Sequence, residues 1–87
     1  MKYAALTHQI IGCAMEVHRF LGKGFPEVIY QRALAYELSL QGIAFKQEVT
    51  MKVYYKGKHV GVRSVDFLVE GEICTELKAV MDLENKH

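Results

Sequence analysis

Residues 6–21, LTHQIIGCAMEVHRFL, set Leu6, Ile10, Cys13, Ala14, Val17 and Leu21 at three- and four-residue intervals. That spacing collects them on one stripe and predicts an amphipathic helix. Thr7 stands as its N-cap, with Leu6 and Ile11 placed to close over it, and Gly22 is the stop signal. The connection LGKGFPE then delivers Pro26 to the first turn of a second helix, where its missing N–H does no harm. This helix is expected from Pro26 to Gln41, burying Ile29, Ala33, Leu34, Leu38 and Leu40, with Gly42 ending it.

From Phe45 the period drops to two. Phe45, Gln47, Val49, Met51, Val53 and Tyr55 face one way, and Lys46, Glu48, Thr50, Lys52 and Tyr54 the other, which predicts a half-buried strand. Lys56-Gly57-Lys58 reads as a hairpin turn, His59 to Val69 as a second strand, Glu70-Gly71-Glu72 as another turn and Ile73 to Val80 as a third strand. The closing DLENKH has the look of a helix start capped by Asp82. The expected fold class is α+β, two N-terminal helices packed on a three-stranded antiparallel meander, all within a single domain spanning residues 1–87. Such a sheet leaves two edges available for pairing with another chain, so a homo-oligomer joined through an open edge is one expected assembly.

Composition narrows the class. With 51% apolar and 24% charged residues and a single proline, the chain belongs with ordinary globular domains rather than disordered ones. No apolar run approaches the roughly 18 residues of a membrane span, and MKYAALTHQ lacks the form of a signal peptide, so the expected location is the cytoplasm. Cys13 and Cys74 form no C-x-x-C pair; both are expected reduced and partly buried, without a disulfide framework or zinc site. The net charge of +1 conceals a segregation: residues 43–63 hold five basic residues against Glu48 alone, and residues 64–87 hold two basic against six acidic. A basic hairpin beside an acidic region suits a protein that handles a polyanion and a divalent cation together, although solvated faces also segregate charge.

The chemistry concentrates in VDFLVEGEICTELK, residues 65–78. On a third strand, Glu76 and Lys78 share a face with Cys74 and Val80. A three-residue loop, Glu70-Gly71-Glu72, puts Val69 opposite Ile73 and therefore Asp66 opposite Glu76, whereas a two-residue loop sends the two acids to opposite faces. In the first register, with Gly71 or a neighbour left-handed, two carboxylates about 4.5 to 5.5 Å apart at Cβ need a cation between them. Mg²⁺ or Mn²⁺ suits such oxygen donors, with Lys78 steadying a water or a phosphate. The competing reading sends Asp66 and Glu76 to solvent, with Lys78 in a surface ion pair.

A carboxylate at the start of a helix, followed by a meander with Asp66 on its second strand and Glu76-x-Lys78 on its third, resembles the PD-(D/E)XK nuclease superfamily. Gly24-Phe25-Pro26-Glu27-Val28-Ile29-Tyr30, within EVHRFLGKGFPEVIYQRAL at 16–34, together with SVDFLVEGEICTELKAV at 64–80, is similar to its bacterial GxxExxY branch. The resemblance implies a restriction-endonuclease-like αβββαβ core that here lacks its C-terminal helix and strand, as though truncated. It implies a Mg²⁺-dependent nuclease hydrolysing phosphodiester bonds of DNA or RNA, with Asp66, Glu76 and Glu27 as metal ligands. Lys78 would be the water-orienting lysine, and the Leu77 carbonyl a further ligand. Val65 stands where the superfamily pattern has proline. The rival functions are a non-catalytic nucleic-acid- or protein-binding module on the same fold, and an interaction protein working through a sheet edge.

The remaining polar residues carry two readings each. Glu27 suits a helix's first turn whatever the protein does. Tyr30 is expected to pack in the core or to bond Glu27, and His18 to be a satisfied, half-buried histidine. Lys46, Lys52, Lys56, Lys58 and Arg63, interleaved with Tyr54 and Tyr55, form either a nucleic-acid-binding track or a solvated strand face. Cys74 is given no role.

Overall fold

A computed structural model describes residues 3–82. Among the described residues the order is α1 (Ala4–Leu21), α2 (Glu27–Leu40), β1 (Phe45–Tyr55), β2 (Lys58–Val69), β3 (Ile73–Thr75) and α3 (Leu77–Asp82). The three strands form an open antiparallel sheet in the order β1-β2-β3, so the α+β class with two leading helices is the observed one.

The stripe on α1 faces the core as its spacing requires: Ile10, Cys13, Ala14 and Val17 are buried, and Leu6 and Leu21 pack at its margins. The helix starts earlier than Thr7, however. The Thr7 N–H already bonds the Tyr3 carbonyl at 2.9 Å, an i to i−4 bond that puts Thr7 inside the first turn and makes Tyr3 the N-cap. In α2, Leu34 and Leu38 are buried, but Leu40 is 60% exposed, against expectation. Two residues beyond Leu38 is more than half a turn, which carries Leu40 to the outer face. Pro26 is the N-cap rather than the first helical residue. The chain leaves α2 through Gly42 N–H to Ser39 and Ile43 N–H to Leu38, both 3.0 Å. This paired ending seats Ile43 in the core against the helix it has just left.

Tyr55 pairs directly with Lys58, so Lys56 and Gly57 alone make the first turn, and both have positive φ (49° and 82°). That is the two-residue turn whose twist matches a hairpin. The second turn has the three-residue form, with Val69 opposite Ile73, Leu68 opposite Cys74 and Phe67 opposite Thr75. Glu70 and Gly71 both take left-handed backbone (φ 54° and 68°). Gly71 does so without a Cβ penalty. Glu70 is compensated by two bonds to Ala44, its own N–H to the Ala44 carbonyl at 2.8 Å and its side-chain Oε1 from the Ala44 N–H at 3.3 Å.

The third strand departs from expectation most. It ends at Thr75, and residues 77–82 are helical instead of extended to Val80. Leu77, Lys78, Ala79 and Met81 are good helix formers, and Leu77, Val80 and Met81 fall at helical spacing. Leu77 is buried and the other two pack against the same core. Asp82 thus lies at the end of a helix rather than at the start of one, and the rest of DLENKH lies outside the described residues. The core itself joins α1, α2, Ile43, Phe67, Val69 and Leu77. Phe45 lies edge-on to Phe67 at 5.7 Å between ring centroids.

Candidate active site

The three-residue loop leaves Asp66 one residue beyond the last rung of the β2–β3 ladder, Phe67 to Thr75, and there the chain turns. Instead of meeting Glu76 across a continued strand, Asp66 accepts the Leu77 N–H through Oδ2 at 2.7 Å. An N–H in a helix's first turn has no partner within the helix, and a carboxylate is a strong acceptor for it. The bond therefore starts α3 and explains why β3 stops. Asp66 is half-buried, so little water competes for the contact.

Glu76, the residue at the bend, extends to Arg63, whose Nη2 donates to Oε1 at 2.6 Å. Both side chains are about half exposed, so the pair contributes on the order of 0 to 1 kcal/mol. Arg63, expected with the basic track, is thus committed to an acid of the candidate site. Lys78 opens α3 and lines a cleft of about 250 Å³ with Phe25, Glu27, Tyr30, Leu77 and Met81. Glu27 comes to this cleft from the first turn of α2.

Tyr30 packs against the core, as one of its two readings expects, and has a further task that neither reading includes. Its hydroxyl donates to the Gly22 carbonyl at 2.6 Å and accepts the Phe25 N–H at 3.3 Å, and its ring meets Phe25 edge-on at 6.2 Å. It pins the α1–α2 connection, and so fixes where Glu27 enters the cleft. Its hydroxyl has the reach for this because it sits one turn into α2.

All four expected catalytic residues therefore surround Leu77. Asp66 holds its N–H, Glu76 and Lys78 are its chain neighbours, and Glu27 shares its cleft. Among the described residues, however, no three His, Cys, Asp or Glu side chains lie close enough together to hold a metal ion. One acid the pattern leaves unassigned is Glu48. The rungs Gln47 to Phe67 and Val49 to Val65 put it across from Asp66, at a positive φ of 54° that breaks the ladder. Like charges on facing strand positions repel, which a period-two reading cannot reveal without the register.

The basic residues do not form one track. Lys46 lies at the base of the sheet, beside Glu70 and Gly71, whereas Lys52, Lys56 and Lys58 are exposed on the distal hairpin. Of the cysteines, Cys13 is buried. Burial, with a smaller push from the Glu37 charge, raises its thiol pKa and keeps it neutral and unreactive. Cys74 is exposed rather than partly buried, with its thiol 3.3 Å from Met51 Sδ. Among the described residues no helix is long and apolar enough to cross a membrane.

Compared with known proteins, residues 4–87 match the family model of the PD-(D/E)XK nuclease superfamily. No curated protein and no solved structure matches the chain.

Proposed function

The chain belongs to the PD-(D/E)XK nuclease superfamily, and from that premise we propose that it is a metal-dependent nuclease that hydrolyses phosphodiester bonds of DNA or RNA. The observation that carries the reading is the Asp66 to Leu77 bond, because it ties Asp66 to the residue between Glu76 and Lys78, and Leu77 and Lys78 line the cleft that Glu27 enters. Nucleases of this superfamily generally use divalent metals. The donors here are chemically suited to one: Asp66, Glu76 and Glu27 all offer carboxylate oxygens, the hard ligands that Mg²⁺ and Mn²⁺ prefer. At present Arg63 supplies positive charge to Glu76, and the neutral Leu77 N–H donates a hydrogen bond to Asp66. When bound, a divalent ion supplies an acidified water and a countercharge for the phosphate.

The chain's own residues have separable tasks in this proposal. Asp66, Glu76 and Glu27 would hold the ion, although among the described residues they do not stand as a ready three-acid cluster. Lys78, exposed at the cleft, provides a compact positive charge to a phosphate oxygen or to the attacking water. Tyr30 positions Glu27 through the loop it pins. The motif at 24–30 supports assignment to the GxxExxY branch, and with it a bacterial, cytoplasmic protein acting on nucleic acid.

Purified protein should nick supercoiled plasmid or degrade single strands with Mg²⁺ or Mn²⁺ and stop on chelation. Asp66→Ala, Glu76→Ala and Lys78→Ala should each lower the rate at least 100-fold, the scale of losing one charged group that stabilises a transition state. Cleavage that survives all three changes overturns the assignment. The second reading, a non-catalytic binding module, is favoured by the Arg63 to Glu76 pair and the lack of a three-acid cluster among the described residues. Binding of Mn²⁺ or of an oligonucleotide without turnover would select it.

A further inference from the structure

The distal half of the β1–β2 hairpin takes no part in the core, yet its surface is far from neutral or bland. From residue 49 to residue 65 there is no acidic side chain, while Lys52, Lys56, Lys58 and Arg63 are basic. Tyr54 and Tyr55 are 59% and 62% exposed. Adjacent strand residues point to opposite faces, so each face of the arm bears one tyrosine. On one face Tyr55 sits across from Lys58, with Lys56 Nζ 5.3 Å from its ring centroid. On the other, Tyr54 sits across from His59, the rings edge-on at 5.6 Å, and Lys52 is two residues away on the same side. The register slips between Val53 and Tyr54, leaving Val60 without a rung. Such a bulge increases local twist and re-aims the side chains at a hairpin's end.

We propose that this hairpin arm, residues 52–60, is a grip for single-stranded nucleic acid, in which Tyr54 and Tyr55 stack on unpaired bases and Lys52, Lys56 and Lys58 hold the phosphates. The proposal rests on the nuclease reading only for the sense of its partner and adds to it the strandedness of the substrate. Lysines alone take any polyanion, because phosphate contact carries no preference for strandedness. Exposed tyrosines change that. Bases in a duplex hide their faces in the stack, whereas an unpaired strand offers them, and each base on an aromatic ring gains on the order of 1 to 3 kcal/mol.

The test is fluorescence anisotropy with a labelled oligothymidine of about 15 nucleotides, a length within one binding face of this kind, in EDTA so that nothing is cut. The double variant Tyr54→Ala/Tyr55→Ala should bind the strand at least about tenfold more weakly, with duplex affinity unchanged, and Tyr54→Phe/Tyr55→Phe should bind like the natural chain. Changing Lys52, Lys56 and Lys58 to Gln should lower the slope of log affinity against log salt by about 2. No binding of the strand by the natural chain, tyrosine variants that bind undiminished, or equal loss on strand and duplex would overturn the proposal. So would a tyrosine-dependent dimer in sedimentation with no oligonucleotide bound. Divalent-dependent nicking that persists while the arm proves inert removes only the grip, and strand binding through the tyrosines without any cleavage removes only the nuclease reading.

Discussion

Strand β2 passes through two environments. Between Val65 and Val69 its alternate residues Val65, Phe67 and Val69 are buried, whereas from Lys58 to Ser64 every residue but the half-buried Gly61 is exposed. The alternation of side chains runs through both halves, and the ladder to β1 holds in both apart from the missing rung at Glu48 in the buried half and the slip at Val53 and Tyr54 in the other. What differs is the cover. A strand of 12 residues extends about 40 Å, whereas helices of 18 and 14 residues reach about 27 and 21 Å. The helices cannot shelter all of β2. Its free half is therefore open to other duties, and its buried half positions Asp66 one residue from a fully buried phenylalanine.

The largest expected effect tests that division at its centre. Phe67→Ala should destabilise the protein by about 3 to 5 kcal/mol, the range for emptying a buried aromatic site. Urea unfolding followed by circular dichroism measures it. Phe67 sits between Phe45 and the Thr75 rung, so the variant should also loosen the start of α3 and the Asp66 to Leu77 bond. A loss below about 1 kcal/mol would show that the two halves of the strand are alike.

A smaller effect of opposite sign is expected at Thr75. It is buried opposite Phe67, and its hydroxyl has no hydrogen-bond partner among the described residues. An unsatisfied buried hydroxyl costs on the order of 1 to 3 kcal/mol, and valine has nearly the same shape. Thr75→Val should therefore stabilise by about 1 kcal/mol and raise the urea midpoint without changing the slope. A destabilised variant would reveal a partner for the hydroxyl and place Thr75 among the polar residues of the site.

These two positions also show what the sequence makes legible. The α1 stripe can be read because three- and four-residue spacing has one geometric meaning, and both hairpin turns can be read because their glycines require particular backbone. The register that leaves Asp66 just beyond the β2–β3 ladder follows from loop length alone. The run after Thr75 is not legible in the same way. Ile73, Thr75, Leu77 and Ala79 fit period two, while Leu77, Val80 and Met81 fit a helix, and a short apolar run cannot arbitrate between them. A carboxylate 11 residues upstream decides the matter. The partnership of Arg63 with Glu76 is hidden for a related reason, since it depends on where the chain bends rather than on strand alternation. Glu27 and Lys78 share a cleft only because α2 and α3 pack on one core, which periodicity within either element does not specify.

The smallest expected effect lies on the bare half of the strand. Val62 is 64% exposed and sits across from Lys52, so Val62→Thr removes almost no buried surface and keeps a β-branched residue in the strand. Its stability should stay within about 0.5 kcal/mol of the natural chain, the range for surface positions. The measurement is worth making at several protein concentrations. If the arm stands in water, the null effect holds at all of them. If two copies close over it, the valine becomes part of a core, and the cost of the hydroxyl grows as concentration rises and association tightens. A concentration-dependent loss at Val62 would mean that the uncovered half of β2 is covered after all, by a second molecule rather than by the helices of its own chain.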